Sequence, residues 1–130
     1  MPITLAYGGA LAIWFLVLSA RVIQGRFGRG NPSLGDGGNP LMLRRIRAHG
    51  NFAEYVPLVL VLMGLLEQSG AARWALHGIG ASLLVGRLLH GYAFGFTKEF
   101  VVGRSAGIAL TFVALLWAAV LALATGLRGL

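Results

Sequence analysis

The residues of this chain that can do chemistry are concentrated in Arg44-Arg45-Ile46-Arg47-Ala48-His49-Gly50-Asn51-Phe52-Ala53-Glu54-Tyr55-Val56-Pro57. Arg44, Arg47, Asn51 and Glu54 are spaced so that a helix carries them on one face. An amide and a carboxylate on the same stripe as two guanidiniums suit a small zwitterion. Arginine takes carboxylates through its planar fork, and glutamate takes an ammonium group. Pro57 removes the backbone hydrogen bond to residue 53 and predicts a bend just beyond the glutamate. An ionisable group inside a bilayer costs about 3 kcal/mol even on lenient scales, so Glu54 must face a partner or a watery cavity. An ion pair with an arginine of the same or another helix meets that demand as well as a ligand does.

Other candidate residues lie at the ends of apolar stretches: Arg21, Arg87 with His90 three positions on, and Arg104 with Ser105. Gathered near one membrane face around Asn51 and Glu54, these arginines suit a ligand with more than one carboxylate and one ammonium group. The histidines at 49, 77 and 90 show no metal-ligand spacing, and no metal is expected. There is no GxSxG, no P-loop and no GxGxxG after a strand, which leaves hydrolase and nucleotide chemistry without residues. The chain has no cysteine, so a disulfide framework, an iron-sulfur cluster and a cysteine nucleophile are excluded. Any thiol must arrive with a ligand.

The elements that must position these groups are membrane helices. The 130 residues are 57% hydrophobic and only 12% charged, with mean hydropathy +0.77. A soluble domain carries about 25% charged residues and cannot hide this much apolar surface. The pattern predicts an all-α integral membrane four-helix bundle as one domain over 1–130, with spans at about 3–23, 46–67, 74–94 and 105–127. A Gly/Pro/Asn-rich loop occupies about 25–40. No Lys or Arg precedes the first span, which argues against a cleaved signal peptide.

The net charge of +7 does not point to nucleic acid, because the basic residues cap apolar segments and form neither a basic amphipathic stretch nor an aromatic stacking platform. It reads as topology. Arg21, Arg26, Arg29, Arg44, Arg45, Arg47, Arg87, Lys98 and Arg104 flank the first and third connections, against Arg73 and Arg128 on the other side. This predicts cytoplasmic first and third connections. Trp74 is an expected interfacial anchor. Gly78, Ser82 and Gly86, and Gly103 with Gly107, recur every four residues and predict close helix packing. A four-helix subunit has little interior, and a polar site on its surface is better sheltered between subunits of an oligomer.

The segment Arg47-Ala48-His49-Gly50-Asn51-Phe52-Ala53-Glu54-Tyr55-Val56-Pro57-Leu58 resembles the second-helix signature of the MAPEG family, the membrane-associated proteins in eicosanoid and glutathione metabolism. The likeness extends to Ala20-Arg21, to Gly86-Arg87 with His90 and to Arg104-Ser105, and covers nearly the whole chain in order. It suggests a bacterial-type member similar to microsomal glutathione transferases. The resemblance implies a homotrimer that binds glutathione between neighbouring subunits near the cytoplasmic face and meets a lipophilic co-substrate arriving from membrane lipid. By position, Arg47, Asn51, Glu54 and Tyr55 would hold the peptide, joined by His49, His90 and Ser105. Arg21 and Arg87 would add carboxylate or structural contacts, and Arg104 would sit by the sulfur as the catalytic residue. The chain departs from the family's eicosanoid synthases at Phe94 and Ile108, where tyrosines occur, and at His49, where some relatives have glutamine.

Two other readings compete. Four short spans with one intramembrane glutamate also describe a small multidrug-exporter-like transporter, but a cation exporter would not line its site with Arg47, Arg87 and Arg104, and here the first span has no acid. The third reading is a catalytically inactive trimer of the same fold, with a structural polar cluster.

Overall fold

The computed structural model describes residues 1–27, 30–97 and 100–129. Arg29 and Lys98, which entered the topology argument, lie outside them. Four helices account for nearly all the described residues: α1 (Pro2–Arg26), α2 (Pro40–Gln68), α3 (Arg73–Gly95) and α4 (Val101–Arg128). Each extends past the apolar run that announced it, because the bilayer sets the length of the greasy segment while backbone hydrogen bonding carries the helix on. Arg104 and Ser105 therefore sit inside the first turns of α4.

Local chemistry sets the ends. Pro2 and Pro40 occupy first-turn positions where no N–H is needed. Asn39 caps α2, its Oδ1 accepting from the N–H of Leu41 at 2.9 Å and of Met42 at 3.3 Å. Gly70 closes α2 at φ 79°, with Ala71 N–H donating to the Leu66 carbonyl and Gly70 N–H to that of Glu67. That is a Schellman ending, which a left-handed glycine supplies without strain. In the loop between α1 and α2, the Arg26 guanidinium donates to the carbonyls of Pro32, Ser33 and Gly35, so a residue expected only to mark topology organises the loop. α2 runs unbroken through Pro57.

Glu67, at the far end of the second expected span, belongs to the last turn of α2 and reaches across to the start of α1. Its carboxylate accepts from the N–H of Ile3 at 2.9 Å and of Thr4 at 2.8 Å. A negative group at a helix N-terminus satisfies orphan donors and complements the helix dipole. One side chain thus joins the chain's beginning to a point more than sixty residues on.

α2 and α3 form the central pair; α1 and α4 each pack on both, and among the described residues they do not pack on each other. α1, α2 and α4 are long and apolar enough to cross a membrane. α3 is diluted by Arg73, His77, Arg87 and His90, yet Arg87 and His90 are buried, so its polarity faces protein. The core runs through Leu11, Leu18, Val56, Val59, Met63, Leu76, Ile79 and Leu83, while Ile13, Leu16, Val61, Leu116 and Leu123 face outward, as expected of helices solvated by lipid.

The small residues have separate jobs. A Cβ at Gly107 would stand 2.6 Å from the His90 backbone nitrogen and 2.7 Å from the Gly86 carbonyl oxygen, so Gly86 and Gly107 are where α3 and α4 meet backbone to backbone. Gly78 instead makes room for the Trp117 ring, and Gly91 for Trp14. Gly103 meets first the Phe100 ring, in the turn just ahead of its own helix. Gly107→Val should force α3 and α4 apart and lower stability by about 1–3 kcal/mol, the range for overpacking, measured as a shift in detergent-phase unfolding. Glu67→Ala should cost about 1 kcal/mol and loosen the start of α1, seen as faster amide exchange at Ile3 and Thr4.

Candidate functional site

Arg87 is the largest side chain buried without exposure, at 0%. It leaves α3 toward the junction with α2 and α4. Its Nη2 donates to Asn51 Oδ1 at 3.1 Å and meets His90 Nδ1 at 3.1 Å, and its Nη1 donates to Thr111 Oγ1 at 3.4 Å. The Phe52 ring lies 5.8 Å from its Cζ. Its Nε has no acceptor among the described residues. From the third neighbour, α1, Trp14 donates its indole N–H to the Arg87 carbonyl at 3.0 Å, seated on Gly91. Three helices therefore hold this guanidinium or the backbone behind it.

A guanidinium only donates, and that settles its partners. His90 accepts through Nδ1, so its proton is on Nε2. Asn51 must turn Oδ1 toward Arg87, which leaves its Nδ2 facing outward, where it donates to Glu54 Oε2 at 3.4 Å. Glu54 Oε1 stands 3.9 Å from Arg47 Nη1, with both side chains just over half exposed. A pair so exposed contributes about 0–1 kcal/mol in water. The arrangement is a layered one: a buried cation, an oriented amide and an outward-facing charged rim.

A second group lies at the C-terminal end of α3. Arg44 donates to the carbonyls of Ala93 and Thr97, both at 2.9 Å, and Arg21 to that of Gly95 at 3.2 Å. Cations at the carbonyl end of a helix satisfy orphan acceptors and the dipole together. The Phe94 ring lies 5.5 Å from the Arg44 Cζ and 5.6 Å from the Arg104 Cζ, and the His90 ring is 4.9 Å from it. Arg104 is otherwise exposed, as is Ser105 beside it.

The structure thus brings Arg47, Asn51, Glu54, Arg87 and His90 into one connected cluster, with Arg104 linked through Phe94. Tyr55 packs on Phe112 of α4, at 5.6 Å between ring centres. His49 turns away, stacked on Phe15 of α1 at 4.5 Å. Arg21 stacks on Phe96 at 4.6 Å, beside the end of α3. Thr111 and Trp14 were missed in the sequence because each passes for ordinary membrane-helix composition. The one available signal for Thr111 was that it lies seven residues, two helical turns, after Arg104.

A membrane four-helix bundle built around a buried arginine, with amide and carboxylate carried on the second helix, defines the class. The MAPEG family profile matches residues 4–124, and the chain belongs to the MAPEG family. It is 44% identical over 82 residues to the inner membrane protein YecN of Escherichia coli K12, covering 63% of this chain and 61% of that protein, and equally to the YecN of E. coli O6:H1. The match therefore spans less than two thirds of the length of these relatives. No solved structure matches. Family, relatives and apolar helices together make the chain a multi-pass integral inner membrane protein.

Arg87→Ala should strand Asn51, Thr111 and His90 around a cavity and lower stability by about 2–5 kcal/mol. Unfolding in detergent checks this, and a wild-type-like midpoint would show that the cluster does not hold the bundle.

Proposed function

We propose that the chain is the subunit of a homotrimeric glutathione-dependent enzyme that conjugates or reduces lipophilic electrophiles or hydroperoxides. The observation that carries this reading is the charged rim: Arg47 and Glu54 stand half exposed on a membrane protein, oriented through Asn51 by a guanidinium buried behind them. Glutathione offers two carboxylates and one ammonium group, the complement of that rim. Glu54 takes the ammonium and Arg47 a carboxylate, with Tyr55 and Asn51 beside them. Arg87 and His90 act from behind by holding Asn51. Arg21 acts through the end of α3 and His49 through its packing on α1.

Arg104 is the candidate catalytic group. A thiol with a pKa of about 8.5 is mostly protonated at neutral pH, and an adjacent guanidinium favours the thiolate. The thiolate sulfur would attack the electrophilic carbon, forming a C–S bond as a leaving group departs or, in an addition, as the neighbouring atom takes a proton from water. With a hydroperoxide it would take the terminal oxygen as a sulfenic acid while the O–O bond breaks and the alkoxide leaves, protonated by water, as the alcohol. A second glutathione thiol would then convert the sulfenic acid to the disulfide and water. Phe94 offers no O–H there, so stabilisation of the sulfur rests on Arg104, with Ser105 next to it. The rim is open on one subunit, and a neighbour's surface would close it against water and lipid. The arginine-rich ends of the helices, with the first and third connections, would face the cytoplasm, where glutathione is abundant, while the lipophilic substrate enters from the bilayer.

Calorimetry with glutathione, combined with the ultraviolet absorbance of the bound thiolate, tests the reading. Wild type should bind and show thiolate. Arg104→Ala should keep binding but raise the bound thiol's pKa by about one unit. Glu54→Gln should weaken binding about tenfold. Absence of binding at saturating glutathione by a properly assembled oligomer would favour the inactive-trimer reading.

A further inference from the structure

At the end of the bundle opposite the arginine-rich one, three cavities adjoin between α2 and α4. The innermost, about 660 Å³, is lined by Leu62 of α2 and by Ala119, Leu123 and Leu127 of α4. It shares Ala122 and Gly126 with the next, and that one shares Ser69 and Thr125 with the outermost, about 370 Å³, whose walls include Trp74 and Arg128. Together they form one groove. Its lining passes from hydrocarbon to hydroxyl to cation along α4 between Ala119 and Arg128, about 14 Å of helix. At the polar end, Arg128 makes no ion pair among the described residues, and Glu67, just before Ser69 in α2, has its carboxylate committed to the start of α1. The Ser69 hydroxyl donates to the Leu65 carbonyl at 2.8 Å, so its oxygen is left to accept.

A ligand that fits this groove offers an oxyanion to Arg128, a hydroxyl to Ser69 and a hydrocarbon chain to Leu62 and Leu123. A phospholipid whose phosphate carries a polyol has all three. Phosphatidylcholine has no headgroup hydroxyl and would bring a second cation to Arg128. Trp74 sets the depth, because an indole at a span boundary lies where hydrocarbon gives way to headgroups. We propose that the α2–α4 groove binds one anionic phospholipid of the phosphatidylglycerol class, with an acyl chain along Leu62 and Leu123 and the headgroup at Ser69, Thr125 and Arg128. The site lies at the other end of the bundle from the Arg47–Glu54 rim and does not rest on the glutathione reading.

The test uses the full chain in its assembled state, in nanodiscs of phosphatidylcholine alone, of phosphatidylcholine with phosphatidylglycerol, and of phosphatidylcholine with oleate. A Cβ at Gly126 would meet nothing within 4 Å, and leucine is the better helix former, so Gly126→Leu should fold at least as well as wild type while filling the groove. Wild type should unfold at a higher temperature with phosphatidylglycerol and retain it in native mass spectrometry. Arg128→Gln should retain it about fivefold more weakly, the worth of one cation beside an anionic headgroup. Gly126→Leu should retain it about tenfold more weakly, the worth of roughly two buried methylene groups. Arg73→Gln, which removes a cation at the same end of the bundle but outside the cavity, should behave as wild type. Equal retention by all four proteins, or a loss from Arg73→Gln as large as that from Arg128→Gln, overturns the proposal. So does equal stabilisation by oleate, which would assign the groove to a carboxylate, and so does a changed oligomer mass in Gly126→Leu, which would make the groove a contact between copies.

Discussion

A guanidinium sealed from solvent has five donors and nothing of its own to accept, and the interior of this bundle is arranged around that demand. Arg87 takes an acceptor from each direction available to it: an amide on α2, a hydroxyl on α4 and an imidazole one turn along α3. In lipid the alternative is an uncompensated charge, so the three helices are fixed by the need to deliver these groups as much as by apolar packing. Apolar contacts alone specify little in a bilayer, because lipid tails solvate leucine as well as leucine does. The approach of α3 and α4 at Gly86 and Gly107 follows from the same demand. Thr111 stands one turn beyond Gly107 and returns its own proton to that carbonyl at 2.8 Å, which leaves its oxygen free to accept from Arg87.

The consequence at the surface is an orientation. An exposed asparagine can flip its amide at little cost, but Asn51 cannot, since one orientation points a donor at a donor. The Glu54 carboxylate is therefore approached by a fixed N–H. That makes the outer pair of Arg47 and Glu54, weak by itself, part of a preorganised rim. A binding surface is stronger when its groups do not have to be ordered by the ligand. The buried arginine acts at a distance in this sense: it touches no ligand and decides where the groups that would touch one can point.

The class of fold and the main members of the cluster were legible in the sequence because both rest on local rules. Apolar run lengths gave four helices, and helical spacing put Arg47, Asn51 and Glu54 on one face before any tertiary contact was known. What could not be read depends on contacts between distant helices. Glu67 stands where an apolar span ends, as boundary residues do, and acts as the cap of α1. Arg26 has the position of a topology signal and gathers three loop carbonyls. His49, one step round the helix from its neighbours in the motif, belongs by geometry to the α1 packing and stacks on Phe15. Gly103 fits the small-residue pattern of Gly107 but lies closest to the Phe100 ring at its own helix start, since spacing alone does not say which face a partner occupies.

Phe94 carries the last step. Its ring lies within cation–π range of the guanidiniums of both Arg44 and Arg104. Arg44 is anchored by backbone carbonyls at the end of α3, so the ring has a firm support on that side. Arg104 also contacts the ring and is otherwise exposed. A phenylalanine here cannot donate to a sulfur, but it can hold an arginine by its aromatic face, and it adds no oxygen that would compete for the guanidinium's donors. Those donors stay available to whatever anion approaches.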